Sequence, residues 1–145
     1  MEVIELLTVE AMLGTFGVLK ELYPSLSKEE YQNELNFMIQ HNYSQIAVVE
    51  GGLCLGVSGV WIGSKLWCGR YLEIDNIVVS EKVRSQGVGQ AMVEYLEKKA
   101  RDLGCSMMAL DSYTTNFHAH KFFYNQGFSP KGFHFIHVLN EDKIR

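Results

Sequence analysis

The chain has 145 residues, 47% hydrophobic and 21% charged, with a formal net charge of −4. That is the size and make-up of one globular domain with a real core, and it excludes a disordered chain. The mild acidity lacks the basic footprint of a nucleic-acid binder and is compatible with a cationic amine partner.

Glu2 to Thr8 reads as a first short strand, and its start lacks the basic residues of a signal peptide. Val9 to Tyr23 has helical spacing, with Met12, Phe16, Leu19 and Tyr23 on one side, and Pro24 interrupts it. Ser27 to Glu30 is a capping box for a second helix, striped by Tyr31, Leu35, Met38 and Ile39. Ile46 to Glu50 and Leu53 to Ile62 are apolar and β-prone, joined by the hairpin signal Gly51-Gly52. Gly63 to Lys65 predicts a turn, and Arg70 to Val79 a third long strand. Val88 to Leu103 is the clearest helix, C-capped by Gly104 and laced by Glu94–Lys98 and Glu97–Arg101. Cys105 to Leu110 predicts a strand and Asn116 to Gln126 a helix ending at Gly127. Phe128 and Phe133 to Leu139 predict closing strands. No repeat, linker or low-complexity tract interrupts this order, so residues 1–145 read as a single α/β domain.

Cys54, Cys68 and Cys105 are widely spaced, with no C-x-x-C, and three thiols cannot all pair in one chain. Reduced, mostly buried thiols in the cytoplasm are the simplest expectation. No apolar run approaches the ~20 residues that span a bilayer, so no membrane partner is expected.

The most informative segment is Ile74 to Gly89, a hydrophobic strand, a short polar loop, Arg84, two spaced glycines and then the long helix. Glycine admits a ligand close to the backbone, and a helix's first turn offers N–H groups and a positive dipole end. The segment is therefore a candidate diphosphate cradle. A plain strand-to-helix turn is the alternative. A dinucleotide fingerprint fits poorly, because Gly87-x-Gly89 lacks the third glycine and the acidic residue that should follow. On the preceding strand Glu73 and Asp75 stand two apart, hence on one face, flanked by Tyr71, Leu72, Ile74 and Ile77. Carboxylates in such an apolar strand are costly unless they meet water or a ligand. They are candidate general bases, or else a salt bridge at the strand start. His118 points to the opposite side of its helix, His41, His134 and His137 are scattered, and His118-x-His120 is not a helical metal spacing, so no metal is predicted.

Arg84-x-x-Gly87-x-Gly89, placed between a strand and a helix, resembles the acyl-CoA loop of the GCN5-related N-acetyltransferases. Downstream, Asn116-x-x-Ala119 followed by Gly127-Phe128 is similar to the family's second signature. Order and spacing agree over about residues 73 to 138. The resemblance implies a mixed β-sheet with element order β-αα-βββ-α-β-α-ββ, flanked by helices and splayed where acyl-CoA lies. It implies acetyl-CoA as acyl donor, bound by Arg84 and the backbone N–H groups of Gln86, Gly87, Val88, Gly89 and Gln90, with Ile77, Val78 and Val79 pairing with the pantetheine arm. Asn116 and Phe123 would complete the donor contacts, and Asn116 also reads as a helix N-cap.

For catalysis the resemblance implies Glu73 or Asp75 as the base and the N–H of Val79 beside the thioester oxygen. The family's acid tyrosine falls on Phe123, with Tyr124 one place later and His120 one turn before. Tyr124, His120 or water would then protonate the thiolate. The acceptor would be an amine-bearing small molecule, walled by residues 23–26, by Trp61 to Trp67 and by the segment around Phe133. Trp61, Trp67, Phe133 and Phe135 are cage candidates, or else core or dimer packing. A homodimer is a family expectation. Two other classes stay open: a non-catalytic acyl-CoA binder, and a protein-interaction domain with no use for CoA.

Overall fold

A computed structural model describes residues 1–145. They fall into two compact units, 1–110 and 111–145. The first holds β1 (Glu2–Leu6), α1 (Val9–Leu13), α2 (Phe16–Leu22), α3 (Lys28–Met38), β2 (Tyr43–Glu50), β3 (Leu53–Lys65), β4 (Gly69–Val79), α4 (Val88–Asp102) and β5 (Met107–Leu110). The second holds α5 (Phe117–Asn125). This is a mixed α/β fold, a five-stranded sheet flanked by helices. The strands lie in the order β1-β2-β3-β4-β5, antiparallel except for the parallel pair β4–β5.

Alternation along the strands sends side chains to two faces. On one face Tyr43, Ala47, Val57 and Val78 join Met12, Val18, Leu19, Leu26, Tyr31 and Leu35 from the first three helices. α4 packs on the sheet with Val88, Met92, Val93, Leu96 and Ala100 buried. Its first turn presses close to β3, where a Cβ at Gly56 would stand 2.8 Å from Val88 Cγ1. Glycine at 56 is what lets the helix start there.

The expected elements are present with three corrections. The single helix from Val9 to Tyr23 is two, because the buried Thr15 Oγ1 donates to the Met12 carbonyl at 2.7 Å and closes α1. Gly63 to Lys65 continue β3 rather than turn, each with a partner on β4, and the turn lies at residues 66–68. The closing strands at Phe128 and at Phe133 to Leu139 do not form. The segment 133–139 is rich in β-prone residues, but a strand exists only by pairing, and the sheet ends at β5. Phe133, Phe135 and Leu139 stand exposed. The Gly51-Gly52 hairpin is as expected, both residues having positive φ.

Candidate functional site

β4 is the strand on which the site is built. Along its β3 side it pairs from Gly69 to Val79, but β5 accompanies it only from Tyr71 to Ile74. From Asp75 onward its other edge has no neighbouring strand, so the sheet is open there. Ser80 N donates to Leu55 O at 2.8 Å, on the β3 side. Alternation then directs the N–H groups of Ile77 and Val79 to the open edge. Such an edge can take an extended ligand as an added strand.

At the start of the open stretch the strand bulges. Register slips between Val57 and Gly59, so Asn76 and Ile77 together oppose Ser58. Asn76 has φ 54, a left-handed backbone that asparagine tolerates better than most residues. Its side chain is held from two sides. Tyr43 Oη donates to Asn76 Oδ1 at 3.1 Å, and Asn76 Nδ2 donates to Tyr23 Oη at 2.8 Å. Burial pushes the Tyr43 hydroxyl well above its ordinary value, so it keeps its proton and remains a donor. Behind Tyr43, Gln45 Nε2 reaches both the Tyr43 and Tyr31 hydroxyls, at 3.1 and 2.7 Å, and Thr15 meets Tyr31 at 2.7 Å. A Cβ at Gly59 would lie 2.6 Å from Tyr43 Oη and 2.8 Å from Asn76 Oδ1. The bare Cα of Gly59 makes room for that hydrogen bond.

Glu73 and Asp75 are both half-buried, on either side of the buried Ile74, and alternation puts them on one face. Trp61 is paired with Glu73 across the β3–β4 ladder, and its Nε1 donates to Asp75 Oδ2 at 2.9 Å. Its ring packs on Tyr43 at 4.8 Å between centroids. Trp61 therefore braces the acidic pair. Trp67 lies in the exposed β3–β4 turn, so the two tryptophans play different parts. Sequence reading missed Tyr43, Gln45 and Asn76. The available signal was an asparagine, tolerant of positive φ, in the middle of a β-branched strand.

Beyond β4, a short 3-10 turn (Glu81–Val83) leads to Arg84, which is extended and exposed and pairs with Glu81 Oε1 at 3.8 Å. Ser85 and Gly87 both take positive φ, 68 and 81. Gly87 is the N-cap of α4 and offers no side-chain cap hydrogen bond to the first-turn N–H groups of Val88, Gly89 and Gln90. Nothing lies within 4 Å of where a Cβ at Gly87 would stand. These N–H groups, the dipole of a 15-residue helix and Arg84 suit a diphosphate in charge and shape.

In residues 111–145, Asn116 caps α5 by accepting from Ala119 N at 3.3 Å. His120 Nε2 lies 2.8 Å from the Tyr113 carbonyl, which fixes that nitrogen as a donor. Phe123 is inside an aromatic cluster, 5.5 Å from Phe122 and 6.0 Å from Phe128. Tyr124, next to it, is exposed. Gly127, φ 93, turns the chain so that Phe128 N reaches Phe123 O at 3.0 Å.

A model of the acetyltransferase (GNAT) family matches residues 10–128. Aminoglycoside N(6')-acetyltransferase type 1 of Klebsiella aerogenes is 30% identical over 104 residues, spanning 66% of this chain and 68% of that protein. Among solved structures, glucosamine-6-phosphate N-acetyltransferase from Arabidopsis thaliana superposes with a TM-score of 0.73 at 21% identity, over 97% of this chain and 100% of its own. Aminoglycoside N-acetyltransferase AAC(6')-Iy, solved with CoA, superposes with a TM-score of 0.77 at 18% identity, over 94% of this chain and 93% of its own. At such identities the structural likeness speaks for the fold.

Proposed function

The chain belongs to the acetyltransferase (GNAT) family, and from that premise we propose that it moves an acetyl group from acetyl-CoA to a primary amine of a small cationic molecule. The observation that carries this reading is the open edge of β4 from Asp75 to Val79, leading directly into the Gly87 loop. The edge would pair with the pantetheine arm through Ile77, Val78 and Val79. The N–H groups from Gln86 to Gln90, with Arg84, would hold the diphosphate.

The reaction is direct attack in a ternary complex. The amine lone pair forms a bond to the thioester carbonyl carbon, and the bond from carbon to sulfur breaks. Asp75 or Glu73, directly or through a water, takes the proton the amine must lose. The Val79 N–H steadies the thioester oxygen as charge develops. The thiolate takes a proton from Tyr124 or from water. Tyr124 is preferred to His120 because the His120 Nε2 proton is committed to a carbonyl. The half-buried carboxylates favour a cationic acceptor, and an aminoglycoside, the class named in the 30% identical relative, is the first to assay.

Calorimetric titration with acetyl-CoA, on the wild type and on Gly87→Glu, tests the donor site. Micromolar binding by the wild type, abolished by the substituted carboxylate, supports it. Thiol release with an amine then separates the enzyme from a non-catalytic acyl-CoA binder. A wild type that binds no acetyl-CoA overturns the reading.

A further inference from the structure

The open half of β4 is held at both ends by one short segment. At its start, Tyr23 accepts from Asn76 Nδ2 at 2.8 Å. Just past its end, Glu21 Oε1 accepts from Glu81 N at 2.9 Å. Glu21 and Tyr23 are two residues apart, whereas the contacts they make span 60 and 53 residues of chain. Glu81 in turn pairs with Arg84, so the reach of Glu21 extends to the candidate diphosphate loop.

The segment is itself well anchored. Val18 and Leu19 of α2 are buried in the core that includes Val78 of β4. Tyr23 N closes the helix on Leu19 O at 2.9 Å, and Lys20 Nζ reaches over to Leu26 O at 3.2 Å. Pro24 fixes the exit direction. Glu21, by contrast, is exposed and contributes no core packing. An exposed carboxylate spending its acceptor on a backbone N–H sixty residues away calls for a reason beyond solubility.

We infer that the C-terminal end of α2 is a clamp on the open edge of β4, and that Glu21 is a positioning residue for the acyl donor. The inference rests on the acyl-donor reading above. An edge strand with no neighbour loses the ladder that would keep it straight. Its N–H groups serve a ligand only if their spacing is fixed before the ligand arrives, since ordering on binding weakens affinity. Tyr23 fixes the bulge and Glu21 fixes the 3-10 turn, so the stretch between them is set in advance. The same Tyr23 opens the 23–26 segment expected to wall the acceptor. Donor and acceptor sites therefore share one support, and binding at either should strengthen binding at the other by the same factor.

The test is acetyl-CoA titration of the wild type, Glu21→Ala and Glu21→Gln, with thermal midpoints as the folding control. A glutamine carbonyl can still accept the Glu81 N–H, whereas alanine cannot. Glu21→Ala is expected to raise the acetyl-CoA Kd about fivefold, as loss of one hydrogen bond implies. Glu21→Gln should stay within about twofold of the wild type, and the steady-state change should fall on the acetyl-CoA KM more than on kcat. Asn76→Gly, which keeps the left-handed backbone and loses both tyrosine contacts, should weaken donor binding similarly. Wild-type binding that Glu21→Ala leaves within twofold overturns the clamp, as does a glutamine variant as weak as alanine. If the wild type binds no acetyl-CoA, the donor reading falls first and the clamp with it.

Discussion

Trp61 Nε1 donates to Asp75 Oδ2 at 2.9 Å, from β3 to its paired neighbour β4. The bond holds one of the two carboxylate oxygens of Asp75. Trp61→Phe keeps most of the ring and removes the donor. If Asp75 takes the amine proton, an unbraced carboxylate should lower kcat/KM by about tenfold, less than the roughly hundredfold or more that losing a general base outright would cost. Asp75→Asn should lower it further. In the double variant the Trp61 effect should vanish, because the two substitutions act on one interaction. Steady-state kinetics over this cycle checks the link, and additive losses would break it.

Gln45 is fully buried and donates to the hydroxyls of both Tyr31 and Tyr43. Gln45→Leu keeps the volume and removes two donated hydrogen bonds. The Tyr31 and Tyr43 hydroxyls would each lose a partner in a site with no room for bulk water. The expected cost is about 2 to 3 kcal/mol, or roughly 5 to 10 °C in thermal midpoint for a chain of this size. A shift under 2 °C in thermal melting would show that the network adapts without Gln45.

How far the sequence led is visible in these same residues. Glu73 and Asp75 could be placed on one face because strand period is fixed at two. The Gly87 turn could be placed because few residues accept φ 81 and start a helix. The Trp61–Asp75 bond needed the β3–β4 register, and the bulge at Asn76 shifts that register. Asn76 itself has no periodic signature. The Glu21–Glu81 contact joins two exposed charged residues, which sequence reads as solvated surface. The break at Thr15 depends on a side-chain hydroxyl competing with the helix ladder, which the spacing of apolar residues does not reveal. Phe133 to Leu139 failed the other way, as a β pattern without a strand to pair with.

Glu5 on β1 pairs with Lys99 on α4 at 2.6 Å, and Tyr95 also reaches it. The Lys99 hydrogen bond, with its charge, holds the Glu5 carboxyl below the usual glutamate value despite some burial. A depressed folded value stabilises the protein above the unfolded value, about 4.3, and that contribution is lost as pH falls through the folded value. The wild type should therefore be more stable than Glu5→Gln at pH 7, by well under 1 kcal/mol since the pair is partly solvated. The difference should close below about pH 4. Thermal melts of both proteins from pH 3 to 8 check the sign, and a gap that widens in acid would contradict it.

Phe123 and Tyr124 are neighbours with opposite surroundings, the first inside a ring cluster and the second exposed. A residue used to hold α5 against its turn should be read by stability, and one used as an acid by rate. Phe123→Ala should lower the thermal midpoint through the lost contacts with Phe122 and Phe128. Tyr124→Phe should leave the midpoint within about 1 °C, since an exposed hydroxyl contributes little to folding. If Tyr124 protonates the departing thiolate, its loss should lower kcat. A thiol of pKa about 8.5 leaves tolerably without help, so the loss should be nearer tenfold than ten-thousandfold. Acetyl-CoA affinity should not change. A Tyr124→Phe enzyme with unaltered kcat would pass the proton to water, and Tyr124 would then have no part in the chemistry.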